Sequence, residues 1–281
     1  MQHATVDSGN DRVMSVEVER HERQHSIPAL LPKVLIVIPT LGTRLSTLGR
    51  TIRSVVNQEG VHVDVVMVCK ESSAELLQIA DAFGVRLLVD SGNLSQAINI
   101  GLRTATEHHR YFNWLGDDDV ARPGAFAAAV ERLESSPGSV LCFGACDYID
   151  LQGNLKFNRR PSVFAATAIQ FVPGLIKQEA CLFRLSAVLQ VGGLDPTLRY
   201  TMDLDLILKL RRLGKFERLA RTQAGFCWHP GSITIANRRA SLMEAQQVQA
   251  ASLHGLTAVV YKALKRPIAA LILLANQALS R

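Results

Sequence analysis

The feature that most constrains this chain is a short, repeated alternation of apolar β-branched runs with amphipathic stretches between residues 33 and 115. Lys33 to Ile38 reads KVLIVI and ends at Pro39, the pattern of a strand buried on both faces. Arg44 to Gln58 then carries Leu45, Leu48, Ile52, Val55 and Val56 at helical spacing. Val63 to Cys69 is a second strand, and Ala74 to Phe83 a helix stopped by Gly84. Val85 to Val89, a helix over Leu94 to Thr106, and Tyr111 to Leu115 continue the series. Strands joined by helical crossovers imply right-handed connections and a mostly parallel sheet with helices on both faces. Ligands of such sheets collect at the carboxyl ends of the strands. The positions to inspect are therefore Pro39-Thr40, Lys70-Glu71, Asp90 and Gly116 to Asp119.

Further on, Pro123 starts a helix to about Leu133, and Val140 to Ala145 reads as a strand. Asp147 to Phe157 reads as a hairpin turning at Gln152-Gly153-Asn154. Ala180 to Arg184 is strand-like, and a short helix ends at Gly192-Gly193. Asp203 to Leu213 is helical, and beyond Ser241 only helices are predicted, broken near Pro267. The organisation expected is a disordered tail over 1–31, one α/β domain over 32–240 and a helical appendage over 241–281.

Composition narrows the partners. A net charge of +6 favours anionic ones, namely nucleotides, phosphorylated lipids or membrane surfaces. No dense Lys/Arg block interleaved with aromatics points to nucleic acid. The five cysteines lack CxxC spacing and sit in apolar runs, which reads as buried thiols rather than a disulfide or zinc framework. No signal peptide is evident, and no apolar run reaches the roughly 20 residues of a spanning helix. A cytoplasmic protein is expected, touching at most the inner face of a membrane. Lys262, Lys265 and Arg266 beside the apolar Ile268–Ala275 stretch suit such a peripheral contact, and an ordinary core helix would read the same way.

Three segments carry chemistry. Gly116-Asp117-Asp118-Asp119 follows a buried strand, where a carboxylate pair suits a hard divalent ion shared with phosphates. A solvated acidic turn would look alike. Asp203 and Asp205 open an amphipathic helix; they fit simple capping, and equally a general base taking a proton from a hydroxyl. His229 lies in a loop before Pro230-Gly231, placed to ligate a metal or bind a diphosphate, although loop histidines are commonly surface residues.

In their order these segments resemble the family 2 inverting glycosyltransferases of GT-A fold, over Pro32 to Arg238. Val34 to Thr40 is similar to the family's opening strand, and Thr51 to Gln58 to its L-x-S-V-x-x-Q segment. Asn93 to Leu102 is similar to its G-x-S-x-A-x-N-x-G helix. Leu115 to Asp119 sits where the family carries a DxD-type motif. Val191 to Asp195 resembles x-G-G-F-D, Met202 to Leu206 resembles E-D-x-D-L, and His229 to Ser232 resembles H-x-x-S.

The resemblance implies a Rossmann-like central sheet and transfer of a sugar from a nucleoside-diphosphate sugar to a saccharide or lipid-linked hydroxyl, in cell-surface polysaccharide or glycolipid synthesis. Mg²⁺ or Mn²⁺ would be held by Asp117, Asp119 and His229. Asp203 would be the base. Pro39, Thr40, Glu71, Asn93, Gln96, Asn99, Asp117 and Asp118 would contact the nucleotide sugar. The chain departs from the family at Cys69 to Ser73, where an acidic base-binding loop is usual, and at Met202, where Glu is usual. Leu41-Gly42-Thr43-Arg44-Leu45 is similar to the loop of sugar nucleotidylyltransferases, without their glycine-rich lead-in. A non-catalytic sugar-nucleotide-binding module is the other alternative. No GxGxxG follows the first strand, which disfavours a nicotinamide enzyme.

Overall fold

The computed structural model describes residues 31–229 and 237–279, with side chains given up to residue 270. The tail expected over 1–31 thus lies, except for Leu31, outside the described residues, as does the Pro230–Ser232 part of the histidine motif.

The strands are β1 (Lys33–Thr40), β2 (His62–Cys69), β3 (Arg86–Val89), β4 (His109–Trp114), β5 (Val120–Ala121), β6 (Ser139–Ile149), β7 (Leu155–Arg159), β8 (Cys181–Arg184) and β9 (Lys215–Cys227). The helices are α1 (Leu45–Val56), α2 (Ala74–Phe83), α3 (Leu94–Leu102), α4 (Ala125–Glu134), α5 (Ala165–Ala168), α6 (Leu185–Gln190), α7 (Met202–Leu210), α8 (Arg238–Ser252) and α9 (Gly255–Leu279). The sheet runs β3-β2-β1-β4-β8-β6-β9-β5, with β7 paired to β6. Its first four strands are parallel, as the alternation predicts.

β1 shows why its sequence is continuously apolar. Leu35 and Val37 face one core with α3, α6 and α7; Val34, Ile36 and Ile38 face the other with α1, α2 and α4. Val34 to Ile38 are all fully buried, so each contributes about 1.5–3 kcal/mol of transfer free energy. α3 lies directly against β1: a Cβ on Gly101 would stand 2.5 Å from Val37. α2 ends where expected, with Gly84 in the left-handed region at φ 62°.

Two expectations are corrected, and one long strand is added. α3 stops at Leu102, not Thr106, where Ala105 and Thr104 turn back onto Leu102 and Gly101. β9 is thirteen residues long, and its first half is charged and part-exposed, which hides it from a reading by apolar runs. The C-terminal helices break at Leu253, which is extended (φ −102°, ψ 143°), and α9 continues through Pro267. There Gln246 of α8 donates to the Lys265 carbonyl at 3.1 Å, tying the two helices together. All five cysteines are buried and none forms a disulfide; burial pushes the Cys142 thiol up to about 12.

Candidate active site

The carboxyl ends of β1 to β4 open into a cleft of about 460 Å³. Its floor is the turn after β4. Leu115 continues the pairing by donating to Val37 at 3.0 Å, and the chain then folds tightly at Gly116. A Cβ there would meet the Asp119 Oδ2 at 2.8 Å, so glycine is needed for the three acids to crowd together. α1 holds this turn from beneath: the Thr51 hydroxyl donates to the Asp119 carbonyl (2.6 Å) and Arg50 to that of Asp118 (3.1 Å).

The three carboxylates have separate partners, which is how adjacent like charges are tolerated. Asp117 accepts from the Thr40 hydroxyl at 2.7 Å and from Arg44 Nη2 at 2.7 Å. Asp118 meets Arg44 Nη1 at 3.0 Å and His229 Nε2 at 2.9 Å. Asp119 accepts from the backbone N–H of Cys227 at 2.8 Å and of Gly116 at 3.2 Å. Burial raises the Asp118 carboxyl above its ordinary range, helped by the charge of Asp117 and opposed by Arg44 and His229. Asp119 is raised further, by complete burial and then by the charges of Glu179 and Asp118.

The opposite wall is built by a buried amide. Gln178 donates to the Asn113 side chain (2.6 Å) and to the Trp114 carbonyl (2.8 Å), which pins the turn before β8 to the end of β4. Flanking it, Lys177 and Glu179 enter the cleft and pair at 3.6 Å. Lys177 Nζ also lies 3.8 Å from the Phe226 ring centroid. Burial alone would discharge Lys177, but Glu179 and neighbouring groups outweigh it and hold the ammonium charged. Asp203, second residue of α7, lines the same cleft. Burial raises its carboxyl, with Lys177 opposing.

Among the described residues no three His, Cys, Asp or Glu side chains converge as a ready-made cation site. Asp117 and His229, predicted as metal ligands, are both engaged by Arg44. Asp119 is different: each oxygen receives one N–H and keeps a lone pair. Glu179 Oε2 is buried and accepts no hydrogen bond among the described residues. The cleft is lined by the acids Asp90, Asp117, Asp118, Asp119, Glu179 and Asp203 against the cations Arg44, Lys70, Lys177 and Arg199. That surplus of oxygen charge fits a hard divalent ion, which needs only one or two protein carboxylates when phosphates complete its shell.

The profile of glycosyl transferase family 2 matches residues 35–184, just over half of the chain. The chain belongs to this family. The protein is a glycosyltransferase, and its sheet and flanking helices are those of the GT-A fold. No curated protein matches it. Among solved structures it is similar to residues 1–349 of TarS from S. aureus in complex with UDP-GlcNAc (TM-score 0.60, 14% identity, 82% of this chain and 69% of that one). It is also similar to the mannosyltransferase PcManGT from Pyrobaculum calidifontis in complex with GDP-Man and Mn²⁺ (TM-score 0.58, 16% identity, 89% and 76%). At such identities the likeness is one of fold.

The glycosyltransferase brings Pro39, Thr40, Asn93, Asp117, Asp118, Asp119, Asp203 and His229 to one cleft. Three residues predicted to touch the nucleotide sugar do not line it. Glu71 is exposed beyond β2. Gln96 is spent on a reciprocal cap of α3, receiving the Asn93 N–H at 2.8 Å while its own N–H reaches the Asn93 side chain at 3.0 Å. Asn99 clips the Gly193-Leu194 turn, donating to the Leu194 carbonyl at 2.8 Å and accepting its N–H at 2.9 Å. Where a base-binding acid was missing after β2, Lys70 and Asp90 line the cleft instead, and Asp90 Oδ2 is buried without a hydrogen bond among the described residues. Arg44, Lys177 and Glu179 carried no assigned role in the sequence. The available signal was two opposite charges directly before the apolar strand at Cys181–Phe183.

Proposed function

We propose that this glycosyltransferase moves a sugar from a nucleoside diphosphate to an acceptor hydroxyl by a single, inverting displacement that needs Mg²⁺ or Mn²⁺. The observation that carries the reading is the meeting, in one cleft, of the acidic turn after β4 with Asp203 from 84 residues further along. The solved relatives holding UDP-GlcNAc, or GDP-Man with Mn²⁺, support a nucleotide-sugar donor.

Asp203 takes the proton of the acceptor hydroxyl as its oxygen attacks the anomeric carbon, and the bond from that carbon to the diphosphate breaks on the opposite face. The start of α7 favours the ionised base through its free N–H groups. A divalent cation held by Asp119, beside Asp118, would draw off the negative charge that develops on the diphosphate. Asp117 belongs to the support of Arg44 and Thr40, and His229 to Asp118. Pro39, Thr40 and Asn93 line the nucleotide side. Asp90 as acceptor and Lys70 as donor suit a base edge with adjacent N–H and C=O groups, as in uracil, thymine or guanine.

The test is release of free nucleoside diphosphate from UDP-, dTDP- and GDP-sugars, with and without Mn²⁺. Pyrophosphate released from a triphosphate and a sugar phosphate would favour the nucleotidylyltransferase alternative; donor binding without turnover would favour the non-catalytic module. In the same assay Asp90→Ala should raise KM for the donor about tenfold, the loss of one charge-assisted hydrogen bond, with little change in kcat. An unchanged KM removes Asp90 from base binding.

The acceptor we favour is lipid-linked, presented at an anionic membrane. Among the described residues no helix is long and apolar enough to cross a membrane. α9 instead exposes one stripe at helical spacing, with Leu256 (78% exposed), Val259 (62%), Val260 (41%) and Leu264 (45%). Lys262 and Arg266 flank the stripe, and α9 contains no acidic residue. Val259→Asp with Leu264→Asp should abolish co-sedimentation with phosphatidylglycerol vesicles. Phosphatidylcholine vesicles should bind neither protein. Retained binding by the variant, or a concentration-dependent dimer in place of vesicle binding, would remove this reading.

A further inference from the structure

The loop Gly193–Thr201, between α6 and α7, carries Arg199 and Tyr200 into the cleft and delivers the chain to Asp203. Its first half is clipped by α3: Asn99 holds Leu194 in both directions, and the Asn93 side chain donates to the Pro196 carbonyl at 2.7 Å. The backbone N–H groups of its second half are held by Glu244, in the middle of α8. The backbone N–H groups of Arg199, Tyr200 and Thr201 converge on the Glu244 carboxylate at 3.0, 2.7 and 2.8 Å, and the Thr201 hydroxyl donates to it at 2.9 Å.

Four donors on one carboxylate make an unusually well-defined joint, since charge-assisted hydrogen bonds are about twice as strong as neutral ones. Burial acts to raise the Glu244 carboxyl, but these bonds more than offset it and hold it below its ordinary range. Thr201 is the residue preceding α7, and its side chain makes no cap bond to that helix, being used on Glu244. Three successive N–H groups fixed on one point set the direction in which α7 begins. Asp203 follows two residues later. Glu244 itself lies outside the cleft lining.

We infer that Glu244 is a positioning residue for catalysis: from α8 it holds the Arg199–Thr201 backbone so that Asp203 meets the acceptor hydroxyl in reactive geometry. The inference rests on the reading of Asp203 as the base. It makes α8 a working part of the catalytic unit, whereas the donor side, on β1 to β4, is built without it. Misplacement of a reacting group by about 1 Å can cost on the order of 10²-fold in rate.

Glu244→Ala, in the full chain, should lower kcat about 10- to 100-fold while leaving donor KM and nucleoside diphosphate affinity unchanged. Glu244→Gln, which keeps the shape and one acceptor oxygen, should lie between Ala and the parent and serves if the Ala variant does not fold. Because the residue acts through Asp203, adding Glu244→Ala or Glu244→Gln to Asp203→Asn should change the residual rate less than about twofold. A parental kcat in both Glu244 variants would overturn the inference. So would a rise in donor KM with kcat unchanged, or an equal loss with and without Asp203. Full activity of Asp203→Asn alone would remove the base assignment and this inference with it, while an inactive Asp203→Asn beside fully active Glu244 variants would remove the inference only.

Discussion

Replacing Asp203 by Asn is expected to lower kcat by roughly 10²–10⁴-fold, the usual contribution of a positioned general base, with the donor still bound at its parental affinity. Asn preserves the shape at the start of α7 and removes only the ability to take a proton. The pH dependence follows from burial, which raises this carboxyl above its ordinary range against the opposing charge of Lys177. The base works only when ionised. Activity should therefore fall on the acid side through an apparent pKa higher than that of an exposed aspartate. Stability has the opposite sign. A carboxyl whose folded-state pKa is raised binds protons more readily folded than unfolded, so as pH falls from the raised value toward the ordinary aspartate range the folded state gains stability. Above that window the buried charge is a cost. Asp203→Asn should then melt at neutral pH no lower than the parent. A variant that is inactive because it is unfolded, or one with parental kcat, would each contradict the assignment.

The second large effect is expected at Asp119. Asp119→Asn keeps an oxygen for the Cys227 N–H and loses the charge. If this carboxylate holds the divalent ion, the variant should lose about 10³-fold in turnover, corresponding to about 4 kcal/mol of charge stabilisation. Mn²⁺ binding in the presence of nucleoside diphosphate, followed by calorimetry or by the electron-spin resonance of the ion, should weaken in parallel. Chelation should bring the parent to the level of the variant and leave the variant unaffected. Protons compete with the ion, because burial together with Glu179 and Asp118 raises this carboxyl well above its ordinary range. Metal affinity should thus decline as pH falls, at higher pH than for an exposed carboxylate. Parental activity of Asp119→Asn in the presence of a chelator would exclude the metal from the reaction.

Much of the fold is legible in one dimension. β1 and the end of β2 are buried on both faces, and such strands must be apolar at every position. Helices lying on them must show one apolar stripe, as α1 does with Leu48, Ile52 and Val55. A left-handed helix stop needs glycine, hence Gly84. The acidic turn is legible because it follows a buried strand, and Asp203 because it opens an amphipathic helix. β9 was hard to read because its charged first half is only partly covered, so burial imposed no pattern there. Asn99 and Gln96 were read as ligand contacts because an amide that clips a turn and an amide that binds a nucleotide look identical as letters.

By itself, then, the order of residues determined the alternation of strands and helices, the parallel half of the sheet and the strand ends where chemistry collects, because backbone hydrogen bonding and burial act at short, regular spacing. Which charges meet was decided only in three dimensions. Arg44 between Asp117 and Asp118, Lys177 and Glu179 opposite Asp119, and Glu244 gripping the backbone before Asp203 join positions from 43 to 74 residues apart. Coulomb attraction and hydrogen bonding depend on distance through space, and no spacing along the chain encodes that distance until the sheet has formed.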